Sequence, residues 1–142
     1  MAIYSLAITT NSWTLNRPIL EIRTTATDRA RLLEIGLSGG SYGARFTALG
    51  RPGNIGVGPS SPVTALAENP SDPAGTVTCA INWTTEPSRP PYFFRSFNAA
   101  DDASFNAFWS FPKGLVIPVS SSLVLWNFSA TSGLYVWIVV EE

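Results

Sequence analysis

The sequence predicts an all-β fold, antiparallel strands arranged as a sandwich or barrel, with no more than one or two short helical turns. Three observations carry this prediction: about ten short apolar segments, many alternating with a period of two; glycine, proline and serine clusters between them; and no long amphipathic stretch. At 142 residues the chain suits one domain spanning 1–142.

The first segment, 3–9, sets Tyr4, Leu6 and Ile8 on one side, and the second, 19–25, opposes Leu20 and Ile22 to Glu21 and Arg23. These N-terminal 30 residues are expected to be strands of the domain or an arm. Behind Asp28, a possible helix cap, 27–33 is a candidate short helix, overlapping a strand at 32–37 in which Leu33, Ile35 and Leu37 share a face. Gly36, Gly39, Gly40 and Gly43 then supply a hairpin connection to a strand at 44–49.

From 50 to 75 come Pro52, Pro59, Pro62, Pro70 and Pro73 with Gly53, Gly56 and Gly58, which forbid a central strand. A loop this long is functional or mobile, and Val63, Ala65 and Leu66 favour a docked arm. The cleanest alternation is 76–83, where Val77, Cys79, Ile81 and Trp83 oppose Thr76, Thr78, Ala80 and Asn82. A proline-stiffened connection at 86–91 leads to a strand at 93–97, and 101–108, behind Asp101 and Asp102, is a second helix candidate. Strands at 108–111 and 115–119 are expected on either side of a turn at Pro112-Lys113-Gly114. The last two, 123–128 and 134–142, are separated by Ser129-Ala130-Thr131-Ser132-Gly133.

Those final strands are apolar on both faces. Leu123 and Leu125 oppose Val124, Trp126 and Phe128, while Leu134, Val136, Ile138 and Val140 oppose Tyr135, Trp137 and Val139. A sandwich strand normally turns one face to water. Two covers are open: loops of the same chain, such as 50–75, or a subunit interface built from Trp126, Phe128, Tyr135 and Trp137. Arginine supplies eight of the nine basic residues, a bias in the second direction.

Composition excludes much chemistry. There is no histidine, which removes Ser-His-Asp and Cys-His catalysis, histidine zinc sites and histidine pH switching. The net charge of -1 provides no summed positive field for nucleic acid or an anionic membrane, so neither is an expected partner. The single cysteine, Cys79, fits a buried core position in a cytosolically made chain. Residues 1–5 do not read as a secretory signal, so the sequons at Asn82 and Asn127 are not expected to carry glycans. The longest apolar run, 134–140, is far short of the ~20 residues that span a bilayer as a helix.

No catalytic, metal or cofactor site is expected. Asp101 and Asp102 lack the spaced oxygen ligands of a calcium loop, and the glycines of 36–43 lack the Gly-Lys-Ser/Thr ending of a phosphate loop. Glu21, Glu34, Glu68 and Glu86 would serve a histidine-free glycosidase only if the fold brought two of them together. The tryptophans read as core or interface before they read as sugar platforms. Arg89 and Arg95 flank Tyr92, Phe93 and Phe94, a pattern single-strand binders use, but two arginines on an acidic chain are a weak signal.

Several blocks resemble small proteins associated with tailed-phage capsids. They are Leu33-Glu34-Ile35-Gly36-Leu37, Gly50-Arg51-Pro52-Gly53-Asn54-Ile55-Gly56, Phe93-Phe94-Arg95, the run from Trp109 to Pro118, and Ser122-Leu123-Val124-Leu125-Trp126-Asn127. The resemblance implies a jelly roll that binds at capsomer junctions as a cement or decoration protein, as a homo-trimer, contacting the major capsid protein on the virion surface. Trp126, Phe128, Tyr135, Trp137, Arg51, Arg89 and Arg95 are then the candidate interface residues. The alternative is a carbohydrate-binding or fibre module of a phage, and a histidine-free hydrolase ranks third.

Overall fold

The computed structural model describes residues 1–11, 15–39, 45–58, 62–99, 106–129 and 133–142. Eleven strands are present among them: β1 (Ile3–Thr9), β2 (Arg17–Arg23), β3 (Ala30–Ser38), β4 (Arg45–Gly50), β5 (Val63–Thr64), β6 (Leu66–Ala67), β7 (Thr78–Ala80), β8 (Phe93–Ala99), β9 (Asn106–Ile117), β10 (Ser122–Asn127) and β11 (Tyr135–Glu141). They form two antiparallel sheets, one ordered β6-β1-β11-β3-β9 and the other β5-β7-β2-β10-β4-β8. The protein is an all-β sandwich. Both N-terminal strands pair inside it, β1 between β6 and β11 and β2 between β7 and β10.

Alternation sends one face of each long strand into a shared core. Leu20 and Ile22 of β2, Ile35 and Leu37 of β3, Leu123 and Leu125 of β10, and Val136, Ile138 and Val140 of β11 are all buried there. Cys79 of β7 joins them, and burial pushes its thiol pKa up to about 12.

Five local expectations need correction. No helix occurs among the described residues, and 30–33 lies in β3. The cap-like bonds at Asp28 are real: its N–H donates to Thr25 Oγ1 (3.0 Å), and the Thr25 and Thr27 hydroxyls both donate to its carboxylate (2.7 Å). They close a turn before a strand instead of starting a helix. The second helix candidate falls partly outside the described residues, and its final part, 106–108, is strand.

Pro112-Lys113-Gly114 does not separate two strands either. Leu115 pairs with Leu32 and Ser110 with Glu34, so residues 111–114 bulge opposite the single Leu33, with Gly114 at φ 68°. Leu33 is also skipped against β11, where Val139 pairs with Glu34 and Val140 with Leu32, and this bulge in β3 turns Leu32, not Leu33, into the core. Finally, the regular strand at 76–83 covers only Thr78–Ala80, and Trp83 leaves the core face altogether.

Candidate functional site

The two doubly apolar strands meet different fates. Every residue of β10 is buried. Val124 and Trp126 share the outer face of the six-stranded sheet with Glu21, Ala48 and Gly50, their register partners. That face is roofed by the chain's own loops. Val57 bridges Thr85, Ser88 N–H donates to the Asn54 carbonyl (3.2 Å), and Gly50 lies so close to Pro90 that a β-carbon would meet its ring at 2.6 Å. Trp126 is therefore sheltered within the subunit, and its Nε1 donates to Asn16 Oδ1 (3.0 Å).

Glu21 pins this roof. It is fully buried, and its two oxygens accept five hydrogen bonds. Oε1 receives Ser122 Oγ (2.7 Å) and Gly56 N–H (3.2 Å); Oε2 receives Trp83 Nε1 (2.9 Å), Arg23 Nε (2.9 Å) and Arg23 Nη2 (2.6 Å). Arg23 Nη2 also donates to the Gly56 carbonyl (2.6 Å). A buried carboxylate so paired is an anchor, not a free acid or base. Glu34 belongs to the opposite outer face, Glu68 follows β6 three strands away from it, and Glu86 pairs with Arg17 (2.8 Å), so these carboxylates do not form a glycosidase pair.

β11 has no such roof. Its register with β1 and β3 places Tyr135, Trp137 and Val139 on the outer face of the five-stranded sheet, with Ser5, Ala7, Glu34 and Gly36. Phe108 of β9 continues that face opposite Gly36, and Leu66 of β6 lies opposite Ser5 at its other end. Exposure reaches 59% for Tyr135, 64% for Phe108 and 72% for Leu66. Gly36 explains the flatness of the centre: a β-carbon there would sit 1.8 Å from the Trp137 ring. The indole crosses the glycine and donates its Nε1 hydrogen to Glu34 Oε1 (2.8 Å). Shallow depressions flank it, one lined by Leu66, Ala67, Ser5 and Ala7, the other by Ile8, Thr9 and Tyr135.

The arginines singled out in the sequence all lie over aromatic rings. Arg89 stands 5.2 Å from the Phe128 centroid, beside a cluster in which Phe128 stacks on Phe46 (4.7 Å) and meets Phe93 edge-on (5.2 Å). Arg51 covers Phe94 (5.5 Å) and donates to the Val116 carbonyl (2.7 Å), while Arg95 covers Phe111 (5.4 Å). These two tie the β8 and β9 edges together across the side of the sandwich. The seven candidate interface residues therefore occupy three surfaces: Trp126, Phe128 and Arg89 are on the six-stranded side, Tyr135 and Trp137 on the five-stranded side, and Arg51 and Arg95 between them.

Among the described residues no group of three or more His, Cys, Asp or Glu is arranged to hold a metal ion, and no helix is long and apolar enough to cross a membrane. No protein-family model, curated protein or solved structure matches the chain.

Proposed function

We propose that this chain is a structural virion protein, a capsid cement or decoration protein that self-associates and binds at capsomer junctions. The bare outer face of the five-stranded sheet carries this reading. Exposed apolar side chains such as Tyr135, Phe108 and Leu66 on one sheet face gain from a second surface that covers them, at ~25 cal/mol for each Å² of apolar area removed from water. Tyr135, Trp137 and Phe108 are residue types that interfaces favour. The strand order supports the jelly-roll expectation, because β1/β2, β3/β4, β8/β9 and β10/β11 each divide between the two sheets.

Sizing with light scattering tests the self-association. A stable oligomer is expected at micromolar concentration, reduced to monomer by Tyr135→Lys with Phe108→Lys, both exposed side chains whose replacement leaves the core intact. A monomeric wild-type chain would overturn the self-association. A density map of the particles whose genome encodes the chain tests its position, and density on a tail instead of at capsomer junctions argues against the cement role.

The Trp137 platform favours a second reading as a carbohydrate-binding module, since an indole laid across a glycine presents a ring face for a sugar. Glycan-array binding abolished by Trp137→Ala would select it over the first.

A further inference from the structure

Among the described residues, the β8/β9 side of the sandwich carries cations that form no ion pair with a carboxylate. Among the described residues the ion pairs are Arg17–Glu86 and Arg23–Glu21. Of the basic side chains outside them, Arg51, Arg95 and Lys113 lie on this one side, while Arg31 stands opposite Glu141 of β11. Arg95 and Lys113 border an open groove of about 380 Å³ floored by Phe111, Pro112, Gly114 and Leu115. Arg31 packs against Gly114 and donates to the Lys113 carbonyl (3.4 Å), and Arg51, bonded to the carbonyl of Val116 beside Leu115, keeps its Nε buried and unpartnered. Like charges held together over an apolar floor repel one another until an anion joins them. The bulge at 111–114 is what builds the groove, and β8 and β9 each end their sheet there.

We propose that this groove docks an extended acidic segment of a partner protein, its apolar side chain on Pro112 and Leu115 and its carboxylates on Lys113 and Arg95. The charge calls for an anion, the floor for an apolar group beside it, and the terminal strands for an extended chain. Single-stranded nucleic acid fits less well. Its bases need open ring faces, and the guanidiniums of Arg95 and Arg51 already cover Phe111 and Phe94. The groove is separate from the Trp137 face, so the proposal goes beyond the self-association reading and stands or falls apart from it.

The test is fluorescence anisotropy with the full chain and three labelled probes: a roughly ten-residue peptide of glutamates around a central Leu-Ile pair, the same peptide with lysines for glutamates, and a dT oligonucleotide of similar length. The glutamate peptide is expected to bind saturably below about 1 mM and to weaken with salt. Lys113→Glu, an exposed position, should weaken it at least about tenfold, while Lys113→Arg stays within about twofold, with sizing and thermal melting unchanged in both. Absence of saturable binding, equal binding by Lys113→Glu, equal binding of the lysine peptide, or tighter binding of the oligonucleotide would overturn the proposal.

Discussion

Glu21→Ala removes one side chain and orphans the donors of four residues. Gly56 N–H, Ser122 Oγ, Trp83 Nε1 and the Arg23 guanidinium all aim at a carboxylate that would be gone. Leaving a buried donor without a partner costs about 1–3 kcal/mol, and breaking a buried ion pair from one side costs about 3–5 kcal/mol. The two figures overlap, because the Arg23 side chain is 16% exposed and recovers some solvation; the expected loss is about 4 kcal/mol. Against a domain stability of about 5–15 kcal/mol that is a large fraction, equivalent to roughly 10–15 °C in Tm at this chain length. Glu21→Gln keeps the shape and one acceptor oxygen and should lose about half as much. Urea unfolding measures both, and native-state hydrogen exchange adds a local readout: the Gly56 amide should exchange faster in Glu21→Ala by more than the global loss predicts. A loss below about 1 kcal/mol for Glu21→Ala, with the urea slope unchanged, would refute the claim that this carboxylate holds the roof.

Gly36→Ala drives a methyl into the Trp137 indole, so the ring must lift from the sheet; a cost of about 1–3 kcal/mol and a shifted tryptophan emission are expected. Cys79 should resist a thiol-specific disulfide reagent until the chain is unfolded. Its raised pKa also makes stability fall above the ordinary thiol value of 9.0, by at most about 1.4 kcal/mol per pH unit from this group, because the unfolded chain releases the proton and the folded one keeps it. Urea midpoints of wild type and Cys79→Ala compared at pH 8 and pH 10 isolate that slope. At Asp28 the sign is opposite: the Thr25 and Thr27 hydroxyls lower its carboxyl pKa below 3.8, so its contribution is present above that value and lost as pH falls through the lower folded one. An NMR titration of the Asp28 carboxyl should show a depressed midpoint that returns toward normal in Thr25→Ala.

Alternation made most of the strands legible, because the apolar faces of 3–9, 123–128 and 134–142 are encoded locally; in 32–37 the irregularity at Leu33 reversed the first half of the face. What failed was encoded at a distance. Glu21, alternating with Leu20 and Ile22, reads as a solvated position; its burial depends on Gly56, Trp83 and Ser122, which lie 35, 62 and 101 residues away. Asp28 failed for a different reason. A side chain that caps a turn makes the same bonds whether a helix or a strand follows, and here pairing with β9 and β11 selected the strand. Pro112-Lys113-Gly114 carries turn chemistry, yet the strand resumes at Leu115 on the same partner, so the deviation is a bulge. The bare face was half legible: β10 and β11 carry the same doubly apolar signature, and only the path of the loops distinguishes the roofed strand from the open one.

That difference gives the molecule a front and a back. A support that captures it through the naked sheet leaves the proline-rich 84–91 segment, part of the opposite roof, turned outward on every copy. Thr84, Thr85, Glu86, Arg89 and Pro91 are solvent-accessible there. An epitope grafted beside Pro91 would consequently be presented in a single orientation across an array, so the fold offers itself as a scaffold for directional display.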